Sequence, residues 1–370
     1  MVSKSGLLFM LVSAGAVLPG AALAYKLSPS GTEEERRLAE IRGGWISRLE
    51  RFAASKGLEH FSDPVHEEIT NRMFGCDGGY SQCGGAVTIR APGAVMAGVR
   101  WNDDPAFRID PEAGRGTRCK VLQTIRFQTQ PYCWYQLFDD ARGRAASGEH
   151  FDEQSGAALL YRSHFGDLQA LHAMAAREGE PAAETQAQVL AWSEFTWRVA
   201  LGEHGLETPV REVMPEALSR SFQHSGWTVQ DLFTTGTPGL RRHIREMALG
   251  SFLHTLQDSF AAGHAERGNV VASQRCELGR IRVTAPGPVV EFYSYARQDE
   301  ERHGESDGRA AFIEAIQEPG DVVDLGRPLV DAFYAETPWE EVRPYVECIY
   351  RLAPDARDSS PGAAYVRLAP

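Results

Sequence analysis

His254 and Asp258 stand four residues apart, and His264 follows six residues after the aspartate. Residues at i and i+4 share one face of a helix, about a turn from each other. Imidazole nitrogen and carboxylate oxygen are both ordinary ligands of zinc. On an exposed helix such a pair is commonly no more than a hydrogen-bonded couple. Here Ile244, Met247 or Ala248, Phe252 and Leu256 form an apolar stripe, and Leu253 and Phe260 extend it, as in a largely buried helix. A buried aspartate needs a strong partner, and a cation is one. Gly250 lies one turn before His254 on the same face and leaves room beside the imidazole. Gly263 permits a turn that swings His264 back toward the pair.

Other machinery is not visible. The chain contains no Gly-x-Ser-x-Gly elbow and no Gly-rich phosphate loop ahead of Lys-Ser/Thr. His66 is followed by Glu67 and Glu68, but Thr70 stands where a metalloprotease would carry its second histidine. A disulfide-bearing chain also argues against a catalytic cysteine.

The stretch from Ser251 to His264 resembles the central motif of the zinc-dependent phospholipase C and single-strand nuclease superfamily, in which His-x-x-x-Asp is followed six residues later by histidine. Further stretches are similar to that family in the same chain order: Asp63-Pro64-Val65-His66, Arg100-Trp101-Asn102-Asp103-Asp104, Ser163-His164-Phe165, and His303 with Asp307 four residues on. The resemblance implies an all-α, multi-helix bundle of the phospholipase C and zinc nuclease type, with long disulfide-bearing loops and up to three zinc ions in a cleft. It assigns Asp103, His164, His254 and Asp258 to a first zinc, and His264, His303 and Asp307 to a second. His66, the other oxygen of Asp258 and an N-terminal amino group would hold a third. Asp103 and Asp104 are neighbours; Asp103 is preferred because it stands two residues after Trp101. His60 is the alternative to His66, and a helix-start pairing with Asp167 is the alternative for His164. His150, His172, His204, His224 and His243 are expected not to be ligands.

The chemistry implied is hydrolysis of a phosphodiester, because divalent ions lower the pKa of water to about 7 and stabilise charge on phosphoryl oxygens. Asp103 is the candidate catalytic base. A phospholipase C, cleaving the glycerol–phosphate bond, is the first expectation. A single-strand-specific zinc nuclease is the alternative, and a non-enzymatic exported binding protein with structural zinc is a second. A lipase needs an apolar lip with peripheral contact to a lipid surface, whereas a nuclease needs aromatics on which bases stack. Tyr132, Trp134, Tyr135 and Phe138 would serve either, as would Phe292, Tyr293 and Tyr295, or they belong to the core. The substrate is expected to be a phospholipid or another phosphodiester; no obligate protein partner is implied.

These ligands must be positioned by helices. Thr32 and Glu35 read as a capping box ahead of Leu38, Ile41, Trp45, Leu49 and Phe52. Asp63 as N-cap and Pro64 at the first helical position start a second helix, with Val65, Ile69 and Met73 as its stripe. Helical pattern returns over 157–177, 183–201 and 238–260. The Gly- and Pro-rich stretch from Cys76 to about Arg118 reads as loop, and Cys276 to Val290 as a small strand.

At the N-terminus, Lys4, the apolar run Leu7–Leu18 and Ala22-Leu23-Ala24 read as an export signal over 1–24, leaving Tyr25 as the mature start. A helical catalytic domain is expected over 25–320 and a C-terminal extension packed on it over 321–370. No other stretch is long enough to span a membrane, so the mature chain is expected to be soluble and periplasmic or extracellular. The formal net charge of -12 argues against bulk electrostatic binding to a polyanion, though not against a phosphate held by metal ions. Six cysteines in an exported chain favour disulfides. The preferred pairing among fifteen connectivities is Cys76–Cys83, Cys119–Cys133 and Cys276–Cys348.

Overall fold

A computed structural model describes residues 26–39, 61, 63–84 and 90–366. The expected leader, Tyr25, His60 and the stripe from Ile41 to Phe52 lie outside the described residues. The chain is about 48% helical with only a few short strands. Helix α1 (Glu33–Leu38) opens with the expected capping box, Glu35 N donating to Thr32 Oγ at 3.1 Å and Thr32 N to the Glu35 carboxylate at 2.5 Å.

Helix α2 (Val65–Met73) corrects the expected start by one residue: Pro64 is its cap, and no side chain caps it. Its first donors are satisfied elsewhere, Val65 N and His66 N both reaching the Lys26 carbonyl at 2.8 and 3.1 Å. Chain arriving from the N-terminal side therefore replaces the aspartate cap.

The expected loop between Cys76 and Arg118 is in part a helix, α3 (Gly93–Trp101), buried along its whole length. Glycine and proline suggested a loop, but Pro92 is the cap and the interior Gly98 serves packing. A Cβ on Gly98 would sit 2.0 Å from the Met247 carbonyl oxygen, on the helix that α3 crosses. That partner is α7 (Ile244–Asp258), buried at every position from Met247 to Asp258, as befits a helix apolar on most of its surface. It packs on α3 and on α6 (Ala182–Leu201), which ends at Gly202 with φ 77°. The three helices are joined by polar contacts inside the core. Trp192 Nε1 donates to Ser251 Oγ at 3.2 Å, and Ser251 Oγ to Asn102 Oδ1 at 2.6 Å.

Between α3 and α6 in the sequence come α4 (Pro131–Ala146) and α5 (Leu159–Phe165). The single helix expected over 157–177 breaks after Phe165, because Gly166 turns extended and is pressed against the Phe151 carbonyl. A 3-10 turn, Gln169–His172, follows.

The strand expected at Cys276–Val290 is a hairpin, β2 (Arg275–Leu278) against β3 (Ile281–Thr284), turned at Gly279. A second antiparallel pair joins β1 (Ala265–Arg267) to β4 (Val289–Phe292). After β4 come α8 (Glu300–Ser306) and α9 (Arg309–Ala315). Helices α10 (Val322–Tyr334) and α11 (Trp339–Ile349) pack back on α2, α6 and α7.

The three disulfides pair as expected, Cys76–Cys83, Cys119–Cys133 and Cys276–Cys348, and suggest an oxidising, exported environment. No helix among the described residues is long and apolar enough to cross a membrane.

Candidate metal centre

Six elements converge around the C-terminal half of α7. That helix supplies His254 and Asp258, and α2 supplies His66. Asp103 stands just beyond the end of α3, His164 near the end of α5, and His172 at the end of the 3-10 turn. His264 precedes β1, while His303 lies in α8 and Asp307 caps its end. None of these nine side chains belongs to a residue more than 3% exposed.

Their ligand atoms fall into four groups, each with all atoms within 4.8 Å: His66, Asp103 and His254; Asp103, His164 and His172; His172, His254 and Asp258; and, sharing no member with these, His264, His303 and Asp307. Asp258 is the hub. Its Oδ2 lies 2.8 Å from both His254 Nε2 and His172 Nδ1, and its Oδ1 lies 3.4 Å from His66 Nε2. The His254 and His172 nitrogens are themselves only 3.1 Å apart. Electron-rich atoms brought this close, away from water, are stable when protons or cations lie between them.

Hydrogen bonds on the far sides of the rings decide which nitrogen faces the centre. His66 Nδ1 lies 2.6 Å from Gln257 Oε1, Gln257 Nε2 donates to Thr70 Oγ1 at 2.8 Å, and Thr70 Oγ1 donates to the His66 carbonyl at 2.8 Å. Because the threonine proton is committed to that carbonyl, its oxygen must accept the amide, so the amide oxygen must accept from His66 Nδ1. Nε2 of His66 is left as a lone pair facing the two aspartates. His264 Nδ1 points at the His172 carbonyl (2.7 Å) and His164 Nδ1 at that of Leu160 (2.9 Å), which leaves Nε2 of each as the acceptor. Donation of this kind to a carbonyl or amide oxygen is how metal-ligating histidines are held.

Burial governs the protonation of these groups. Desolvation, with His254 close by, pushes His66 down to about 4. Burial pushes Asp103 up to about 7, raises Asp258 and lowers His264. Asp307 differs: burial pushes it up, but His303 and His264 outweigh that and hold it below its ordinary value.

All eight residues singled out from the sequence, His66, Asp103, His164, His254, Asp258, His264, His303 and Asp307, are thus brought together. Asp103, and not Asp104, faces the cluster; Asp104 accepts from Phe127 N at 2.7 Å instead. Asp167 is not the partner of His164, since it forms a bidentate pair with Arg162 at 2.8 Å. The expected division of ligands changes, because His172, set aside in the sequence, sits between Asp103, His254 and Asp258. It was missed because it belongs to no helix-spaced pair: the break at Gly166 places His172 beside His164 (ring centroids 5.0 Å apart) in a way no periodicity reveals. The other four lie outside these groups. His224 pairs with Glu153, His243 lies 3.8 Å from Glu246, His204 stacks on Phe195, and His150 is exposed. Gly250 makes room for the α3 backbone, not for anything beside His254, since its Cβ would lie 2.1 Å from the Val95 carbonyl oxygen.

The donor set fits divalent metal ions. Among the described residues, His264 Nε2 and His303 Nδ1 are buried and make no hydrogen bond, while His303 Nε2 lies 3.0 Å from Asp307 Oδ2. Imidazole-rich donors with carboxylates form a borderline set. A cavity of about 10 Å³, lined by Asp103, His164, His172, His264, Tyr295 and His303, leaves space on the scale of one water. Trp134, Phe138 and Phe292 are fully buried core residues. Compared with models of known families, with curated proteins and with solved structures, the chain matches none of them.

Proposed function

We propose that the chain is an exported, zinc-dependent phosphodiester hydrolase, and a phospholipase C in its choice of ester. The observation that carries this is the convergence of six imidazoles and three carboxylates in four ligand groups, three of which share members. That is more donors than one structural ion uses, since such sites close with four. His66, His254, Asp103, His172, His164 and Asp258 would hold one pair of ions, and His264, His303 and Asp307 another ion. When bound, divalent ions supply an activated water and positive charge for phosphoryl oxygens.

The protein's own part is orientation and proton handling. Gln257 and the carbonyls of Leu160 and His172 fix the imidazoles, so little reorganises as charge develops. Asp103, which lines the cavity and lies 3.6 Å from His172 Nδ1, is the candidate base. The lipid reading rests on the net charge of -12, which gives a nucleic acid no bulk attraction; burial takes Trp134 and Phe138 out of either role.

Two measurements test the proposal. Metal analysis of purified protein should find more than one zinc per chain; a single ion or none would leave only a structural role. Zinc-loaded protein should release phosphocholine from a lecithin emulsion and leave single-stranded DNA intact. The reverse pattern would replace lipase by nuclease, and no turnover of either substrate would end the enzymatic reading.

A further inference from the structure

The cavity at the centre is lined by no lysine or arginine, yet a phosphodiester reaching it must be drawn past a protein of net charge -12. The layer just above it supplies a cation. On α4, the Phe138 ring meets His164 edge-on with centroids 5.4 Å apart, and Arg142 stands one turn further along the same face. On α8, Glu300 stands one turn before His303. Arg142 and Glu300 meet: Nη1 donates to the Glu300 carboxylate and Nη2 to that of Asp139. Tyr295 stands between the layers. Its ring lies 4.9 Å from that of His303, and its hydroxyl is close enough to act on the Arg142 charge. The Arg142 side chain is 24% exposed, against 11% for Glu300. A guanidinium carries five N–H donors in a planar fork. Among the described residues two of them are spent on carboxylates, and three remain.

We infer that Arg142 is an anion anchor one layer out from the metal centre, taking a non-bridging phosphate oxygen of the substrate while Glu300 and Asp139 hold the plane of its fork. This rests on the phosphodiester reading for its substrate, though phosphate binding itself can be tested without turnover. Arginine suits the task because its fork matches the spacing of phosphate oxygens, which an ammonium group does not. The two carboxylates orient it at the cost of offsetting its charge, so the attraction is local and depends on direct hydrogen bonds.

The test uses zinc-loaded full-length chain and inorganic phosphate as probe, with binding measured by calorimetry and turnover of a phosphodiester dye measured in parallel. Arg142→Ala should weaken phosphate binding roughly tenfold or more and raise KM more than it lowers kcat, with zinc content unchanged. Arg142→Lys should recover part of the loss. Glu300→Gln breaks the same ion pair but leaves the cation, so it should keep or tighten phosphate binding. If Glu300→Gln loses as much as Arg142→Ala, the pair is only a structural latch and the inference fails. It fails too if Arg142→Ala binds phosphate as well as the parent. Phosphate binding that depends on Arg142 in a protein without turnover would uphold the anchor and sink the hydrolase.

Discussion

Gly98 and Gly250 face each other where α3 crosses α7, each so close to the opposite backbone that a Cβ would lie 2.0 Å from the Met247 carbonyl oxygen or 2.1 Å from that of Val95. The crossing sets the separation between Asp103, two residues past α3, and His254, one turn past Gly250. Alanine normally stabilises a helix interior by up to about 1 kcal/mol over glycine. Here a backbone clash must be relieved, and overpacking of a core costs about 1–3 kcal/mol. Gly250→Ala should therefore destabilise the protein and lower its zinc content, read from denaturant melts and metal analysis. An alanine variant as stable and as metal-rich as the parent would show that the crossing has slack.

Gln257 is next in line. Its side-chain oxygen meets His66 Nδ1, and its amide is locked by Thr70. Gln257→Leu should leave the helix intact but free the His66 ring to turn, lowering zinc affinity about 10–100-fold, the range found when such supports are lost. Gln257→Glu keeps an acceptor for Nδ1 and should recover most of it. Competition titration with a chelating dye reads both; equal affinities for the parent and the leucine variant would refute the orienting role.

The pH dependence follows from opposite shifts in one cluster. The stabilising contribution of Asp103, whose folded value is raised to about 7, is complete below its ordinary 3.8 and is lost as pH rises through about 7. That of His66, lowered to about 4, is complete above its ordinary 6.5 and is lost as pH falls through about 4. Between those limits the two slopes oppose each other, so ion-free protein should gain little net pH dependence from this pair. Metal binding requires both a neutral imidazole and an ionised carboxylate. Zinc affinity should rise by up to tenfold per pH unit toward about 7 and then level off. Calorimetry in buffers of different ionisation enthalpy would count the proton released; an affinity flat from pH 5.5 to 7 would contradict the shift.

How much of this was legible from the residues depended on whether the signal was local. His254 and Asp258 announced themselves because one helix turn brings them together, and the same holds for His303 and Asp307. The capping box at Thr32 and the helix Ala182–Leu201 were likewise written in short-range pattern. Helix α3 was not, because its interior Gly98 serves the close approach of the Met247 backbone on α7, and composition alone reads it as loop. His172 was hidden for a related reason: the backbone at Gly166 and Ala173 (φ 51°) decides its direction. The cap of α2 was misplaced because the Lys26 carbonyl, and not the Asp63 side chain, takes up the first donors.

The Cys276–Cys348 bridge closes 72 residues, which in the chain-entropy account is worth about 4 kcal/mol. It ties α11 to β2, away from the candidate ligands. The double variant Cys276→Ser with Cys348→Ser should thus lose about 2–4 kcal/mol in urea unfolding while binding zinc with unchanged stoichiometry. Loss of metal without loss of stability would mean that the hairpin reaches the centre after all.

The last described residues run alongside α8. Asp299 N donates to the Tyr365 carbonyl at 2.5 Å, Ser294 N to that of Ser360 at 2.9 Å, and Gln298 Nε2 to that of Pro361 at 2.8 Å. A protease nick in this strand would cut no ligand, yet it would loosen the seating of His303. Limited digestion could therefore switch off ion retention while leaving the helical spectrum almost untouched, and the chain would look folded long after it had ceased to hold its cargo.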